Sequence, residues 1–386
     1  MYDLLLFGIV RVPSLKALGL EGEKLMDIGM LLLNTQMAGM LIGGIIWGVL
    51  GDKKGRLNVL FGSILIYSIA NICNAFVTSV PQYVAARLFA GIGLAGELGA
   101  AITLVSEVLP THLRGYGTAL VASVGILGSV TAALVGDFLP WNIAYLVGGG
   151  LGLLLLIMRL KMFEPLLFVH VKGSSIRRGD FLSLFTNRER FIKYMRCIVI
   201  GLPTWYVVGI LITFSPEFGK VLGVTEPIVA GRSIMYTYIG LVFGDIVSGV
   251  GSQLIKSRKK TVLAFQLLAI VLVAIYLISR GMSSDMFYTL CAFIGFAIGY
   301  WAVFVTIGAE QFGTNLRATV ATTAPNFVRG ATVPITLSFE FLRGYIDIVP
   351  AAIYVGIAVF ALALLALFGL EESYHKDMNF VEQYDQ

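Results

Sequence analysis

The residues of this chain most able to do chemistry are ionisable side chains set inside apolar runs. Asp3 and Arg11 lie in a run at 2–18, Arg87 and Glu97 in one at 83–105, Asp245 in one at 229–251, and Arg329 in one at 318–340. A carboxylate held out of water can bind and release a proton, and a guanidinium held there must find a carboxylate or an anionic ligand. Arg329 stands about 11 residues into its run, roughly 16 Å deep at about 1.5 Å per residue. Around it, Pro325-Asn326-Phe327-Val328-Arg329-Gly330 supplies a proline and a glycine that loosen a helix. Two readings of Arg329 are open: a permanent ion pair with Asp245 or Glu97, or contact with an anion that comes and goes. Trp205-Tyr206 and Tyr300-Trp301 fall near the middle of their runs, whereas Trp47 and Trp141 fall nearer the ends, where membrane tryptophans ordinarily settle. Mid-run rings suit either stacking on a small organic ligand or ordinary packing.

Other chemistries find no support. The three histidines, His112, His170 and His375, lie outside the apolar runs, and the three cysteines, Cys73, Cys197 and Cys291, lie inside them. No nucleophile, base and acid combine within a run, and no metal-ligand spacing occurs. The expectation is no enzyme, no metal and no cofactor.

The elements that must position these groups follow from composition. Of 386 residues, 57% are apolar and 13% charged, against about 45–50% and about 25% in a soluble domain. Mean hydropathy is +0.86, so lipid is the solvent for most of the chain. Runs long enough to cross a bilayer fall at about 28–50, 57–77, 83–105, 117–138, 142–160, 192–214, 229–251, 261–279, 285–307, 318–340 and 349–369, with the shorter one at 2–18. Twelve helices leave no room for a soluble catalytic domain. No basic segment precedes residue 2, so the first run reads as membrane helix rather than signal peptide.

Charge placement sets orientation. Lys53, Lys54, Arg56, Arg114, the basic cluster from Arg159 to Arg196, Lys256, Arg258, Lys259, Lys260, Arg317 and Lys376 all fall on one side if both termini are cytoplasmic. Lys16, Lys24, Lys220, Arg280 and Arg343 fall on the other. This is the positive-inside bias. It explains the net charge of +5 as a topology signal without nucleic acid.

An internal repeat is the most informative pattern. Gly96, Thr103, Glu107, Leu113 and Arg114 match Gly299, Thr306, Glu310, Leu316 and Arg317, and Lys16-Ala17-Leu18-Gly19 parallels Lys220-Val221-Leu222-Gly223. Two parallel six-helix halves follow, at 1–160 and 192–370, joined by a cytoplasmic loop at 161–191 and followed by a tail at 371–386. Secondary transporters often use that plan, with a site between the halves. Helices 3, 6, 9 and 12 carry no charge and are expected to face lipid, leaving the others to line a central cavity. The repeat also sets Tyr2 opposite Trp205, so helix 1 is expected to begin upstream of Met1.

The loops carry a family resemblance. Gly51-Asp52-Lys53-Lys54-Gly55-Arg56, between helices 2 and 3, resembles the signature loop of the major facilitator superfamily. The stretch at 87–115, RLFAGIGLAGELGAAITLVSEVLPTHLRG, is similar to helix 4 and its following loop in the metabolite-proton symporter and sugar porter branches. YDLLLFG at 2–8 resembles their helix 1, and Glu164-Pro165 with Phe168 the motif after helix 6. The resemblance implies a twelve-helix alternating-access carrier in which Asp3 and Arg87 couple proton to substrate movement. Along straight helices Asp3 lies about 22 Å from the outer end and Arg87 only about 6 Å, so Asp3 is level with Glu97, and Arg11 with Arg87. Asp3 is preferred over Glu97 as the proton site on the motif. A cytoplasmic latch is expected from Asp52, Arg56, Glu107, Arg114, Glu310 and Arg317, pairing across the halves.

The resulting expectation is a monomeric, multi-pass protein of the bacterial inner membrane that moves a small polar metabolite, an organic anion rather than a sugar, with protons. Arg11, Trp205, Tyr206, Tyr300, Trp301, Asn326 and Arg329 are its candidate substrate contacts. An exporter exchanging protons for drugs or metabolites is the alternative, and a membrane sensor the remote one.

Overall fold

The computed structural model describes residues 2–54, 56–108, 125, 127–159 and 181–374, with the side chains of 51–58, 98–108, 314, 315, 317, 318 and 322 left aside. Among the described residues twelve helical units follow one another, with a one-turn helix, Ser183–Thr186, ahead of the seventh. The first half contains α1 (Tyr2–Ala17), α2 (Lys24–Lys54), α3 (Arg56–Asn74), α4 (Val80–Val108), α5 (Leu127–Phe138) and α6 (Trp141–Arg159). In the second, α7 runs in four pieces: Arg188–Val199, Leu202–Tyr206, a π-helical turn at Val207–Ile212, and Ser215–Val221. Then come α8 (Ala230–Leu254), α9 (Arg258–Ile278) and α10, split into Ser284–Ala297 and Trp301–Gln311. Unit α11 is split into Thr314–Gly330 and Thr332–Arg343, and α12 spans Ile348–Gly369.

Local chemistry sets the ends. Asn187, Ser257 and Ser283 accept backbone N–H bonds at the starts of α7, α9 and α10, satisfying donors that a helix cannot satisfy itself. The repeated Lys-x-Leu-Gly stretches end α1 and α7 in the same way. Gly19 and Gly223 adopt φ of 79° and 69°, a left-handed conformation that favours glycine. The N–H of Leu20 then reaches the Leu15 carbonyl at 3.1 Å, and that of Val224 the Gly219 carbonyl at 2.9 Å, as in a Schellman cap.

Packing repeats too. In lipid no hydrophobic force drives helices together, so close backbone approach at small residues takes its place. Gly39 and Gly43 of α2 lie against the Leu88 and Ile92 carbonyls of α4, and Gly91 of α4 lies against the Gln36 carbonyl. In the second half Gly240 and Gly244 of α8 meet the Ala292 and Phe296 carbonyls of α10, and Gly295 meets Thr237. The Tyr2 hydroxyl donates to the Ala144 carbonyl at 2.9 Å, joining α1 to α6, and Tyr206 to Ala352 at 2.7 Å, joining α7 to α12. Apolar side chains on α3, α6, α9 and α12 face outward, among them Ile69, Ile157, Val271 and Leu365.

Candidate functional site

Beside the interruptions of α7, α10 and α11 one set of side chains comes together. Arg329, 3% exposed, closes the first segment of α11. Its guanidinium carbon lies 5.6 Å from the Trp301 ring centroid and 6.0 Å from that of Trp205, within cation–π range. Its Nη1 donates to Asn326 Oδ1 at 3.1 Å, and Asn326 Nδ2 donates across the halves to the Ala95 carbonyl of α4 at 3.2 Å. Tyr238 of α8 is close enough to interact electrostatically with the guanidinium. Arg329 Nε is buried without a hydrogen-bond partner, and among the described residues no carboxylate lies within ion-pair distance. Neither alternative partner pairs with it. Asp245 turns to α10, where its Oδ1 accepts the Ala302 N–H at 3.0 Å, and Glu97 lies near Asp3.

Tyr206 and Tyr300 do not join this cluster. Both are fully buried and direct their hydroxyls to structural carbonyls, Tyr206 to Ala352 and Tyr300 to Ile200 at 3.1 Å. Arg11 is also elsewhere. Its Nη2 donates to both carboxylate oxygens of Glu217, at 2.7 and 2.8 Å, its Nη1 to the Leu25 carbonyl at 3.1 Å, and it lies 4.4 Å from the Phe214 ring centroid. Glu217 follows the apolar run of helix 7 and offers no sequence signal of this role beyond its charge.

A second buried polar group occupies the first half. Arg87 donates to the Gln36 amide oxygen, Gln36 donates to the Leu4 carbonyl at 3.2 Å, and the guanidinium lies 4.9 Å from the Phe7 ring centroid. Arg87 Nε and Nη1 are buried without partners, as is Asp3 Oδ1. Asp3 makes no ion pair with Arg87, whose guanidinium is turned to Gln36 and the Phe7 ring; Asp3, Arg87 and Glu97 remain within electrostatic range. Gln36, invisible as a candidate because neutral amides are common in polar helices, is the residue that answers Arg87.

At the end that carries the C-terminal tail, Glu310 pairs with Arg258 of α9 at 3.2 Å and accepts from the Ser373 hydroxyl at 2.6 Å. One partner belongs to its own half and the other to the tail that follows it, so Glu310 is engaged there rather than across the halves. Arg114 and the side chains of Asp52, Arg56, Glu107 and Arg317 lie outside the described residues. At the opposite end three ion pairs join the halves among the described residues: Arg11 with Glu217, Arg343 with Asp27, and Arg232 with Asp137 at 3.5 Å.

Residues 21–332 match the Major Facilitator Superfamily. The chain is 27% identical over 321 residues to the niacin transporter NiaP of Acinetobacter baylyi, covering 72% of this chain and 70% of that protein. It is 26% identical over 298 residues to the 3-(3-hydroxy-phenyl)propionate transporter of Escherichia coli, covering 74% and 70%. Its fold is similar to that of a solved D-xylose-proton symporter, with a TM-score of 0.70, 16% identity and 97% of each chain covered. With its parallel halves, buried central charges and unbroken coverage by that fold, this multi-pass membrane chain belongs to the major facilitator superfamily and is a transporter of small molecules rather than an enzyme.

Proposed function

We propose that the chain carries small aromatic carboxylates across the bacterial inner membrane together with protons, by alternating access, as a monomer with both termini cytoplasmic. The observation that carries this reading is Arg329: a buried guanidinium between two indole rings, with no carboxylate within ion-pair distance among the described residues. A carboxylate ligand would complete the charge and its ring would stack on Trp205 or Trp301, a pairing of charge and aromatic faces that a sugar does not offer. Two relatives are named for niacin and for 3-(3-hydroxy-phenyl)propionate, molecules that join an aromatic ring to a carboxylate. Asp3, with an unpartnered buried oxygen, is the proposed proton carrier, with Glu97 beside it and Arg87 tuning both. The orientation rests on the distribution of Lys and Arg.

The test is uptake into proteoliposomes of labelled benzoate, nicotinate, amino acids and sugars, with and without an inward proton gradient. Gradient-stimulated uptake of the carboxylates alone is expected, falling at least tenfold in Arg329→Ala and partly kept in Arg329→Lys. Asp3→Asn should abolish the response to the gradient while leaving counterflow. Preference for a sugar, or an Arg329→Ala protein that binds the carboxylates as well as its parent, would overturn the anion site. Gradient-driven efflux in place of uptake would make the chain an exporter.

A further inference from the structure

Asp245 is a membrane-embedded carboxylate with no ion-pair partner among the described residues, and its position accounts for it. Unit α10 stops at Ala297 and restarts at Trp301. A helix that starts inside the membrane presents N–H groups with no acceptor in their own helix, and lipid offers none. Tyr300, at the capping position, supplies no side-chain cap: its hydroxyl stands at the far end of a rigid ring and donates to the Ile200 carbonyl. The cap comes instead from α8. Asp245 Oδ1 accepts the Ala302 N–H at 3.0 Å, and the carboxylate also takes the N–H of Trp301.

Two glycines make the approach possible. A Cβ on Gly299 would stand 2.6 Å from the Gly244 Cα and 2.8 Å from the Asp245 backbone N. A negative group at the positive end of a helix, accepting charge-assisted hydrogen bonds, is the arrangement that best holds such a terminus. The residue held is Trp301 itself, whose ring faces Arg329.

We propose that Asp245 is a positioning residue for the substrate site, capping the second segment of α10 from α8 and so fixing where Trp301 stands over Arg329. This rests on the substrate site proposed above. It assigns the carboxylate neither to proton transfer nor to ligand contact.

The experiment uses the full chain in nanodiscs and proteoliposomes, comparing the parent with Asp245→Asn, which keeps an acceptor oxygen, and Asp245→Leu, of similar size with none. Without ligand, hydrogen exchange of the peptide spanning 298–304 should be about tenfold faster in Asp245→Leu and near the parent in Asp245→Asn, the difference expected when a capping bond is lost. For benzoate, KM should rise about tenfold in Asp245→Leu with Vmax within about twofold, and return in Asp245→Asn. Unchanged exchange in Asp245→Leu, unchanged KM despite faster exchange, or equal behaviour of the two variants would each overturn the assignment. If Asp245→Leu does not fold, Asp245→Glu takes its place: its longer side chain misplaces the cap and should raise KM while Asp245→Asn does not, and the reverse order overturns the proposal. A parent protein that takes up no carboxylate refutes the substrate reading, and the exchange measurement still decides the cap.

Discussion

A buried arginine must be answered by something, and Arg11, Arg87 and Arg329 are answered in three ways: by a carboxylate, by a neutral amide, and by two rings with an asparagine. Their depth is legible in the sequence, since it needs only position within an apolar run. Their partners are not, because rotation about the helix axis and breaks in neighbouring helices decide which side chains meet. Asp245, an ionisable group in a neighbouring helix, does not answer Arg329; the break in α10 gives it two N–H groups to cap. Glu372 shows the same principle in water. Burial pushes its carboxyl up, but the Ser257 hydroxyl and the N–H groups of Arg258, Tyr374 and Lys259 donate to it and hold it below the ordinary range. A lowered folded value means that the clamp is fully present above the free-glutamate value of about 4.3 and is lost as pH falls through the lower one. Hydrogen exchange of residues 370–374, corrected for intrinsic rate, should therefore be flat from neutral pH down to about 5 and rise below about 4. In Glu372→Gln that rise should disappear; a rise that persists would assign it to another group.

At the scale of elements, the spans and their lipid-facing set were readable from hydropathy, and Pro325 and Gly330 marked the loosening of α11, whereas the interruptions of α7 and α10 were not readable. Those two runs stay apolar through their breaks, so periodicity carries no mark of them. The glycine contacts explain a second gap. Gly39 and Gly43 correspond to Gly240 and Gly244 at a shift of 201, while Leu88 and Ile92 correspond to Ala292 and Phe296 at 204. An ungapped comparison finds one helix of each pair and misses its mate. Gly240→Ala should place a methyl against the Ala292 carbonyl and lower stability by ~1–3 kcal/mol, whereas Gly249→Ala, with nothing within 4 Å, should raise it by up to ~1 kcal/mol. Thermal unfolding of the two variants in detergent checks the opposite signs; equal shifts would mean that the carbonyl contact yields without cost.

At the scale of the molecule, the two parallel halves were legible from the repeat, but which end is shut was not, since that depends on pairs more than 200 residues apart. Arg11, Arg232 and Arg343 each bind a carboxylate of the other half at the end opposite the tail. Glu217 is 21% exposed on its side chain while Arg11 is fully buried, so breaking their pair should cost the closed state ~1–3 kcal/mol, less than a wholly buried pair. Spin labels on Leu139 and Tyr345, exposed residues of opposite halves, should gain a longer distance component in Glu217→Gln, and the exchange Arg11→Glu with Glu217→Arg should restore the shorter one. An unchanged distribution in Glu217→Gln would show that the pair does not hold this end.

The glycine contacts also limit how such a molecule can move. With backbone against backbone at Gly39, Gly43, Gly91, Gly240, Gly244 and Gly295, α2 cannot slide along α4, nor α8 along the first segment of α10, without driving a carbonyl into a Cα. The working parts are then a few stiff levers, Trp301 rides on the one that α8 and α10 form together, and compliance is left to the π turn of α7 and to Ala331 in α11. Those two helices supply Trp205 and Arg329. A ligand seated between them and Trp301 bears on the joints directly, where a small push turns a long arm.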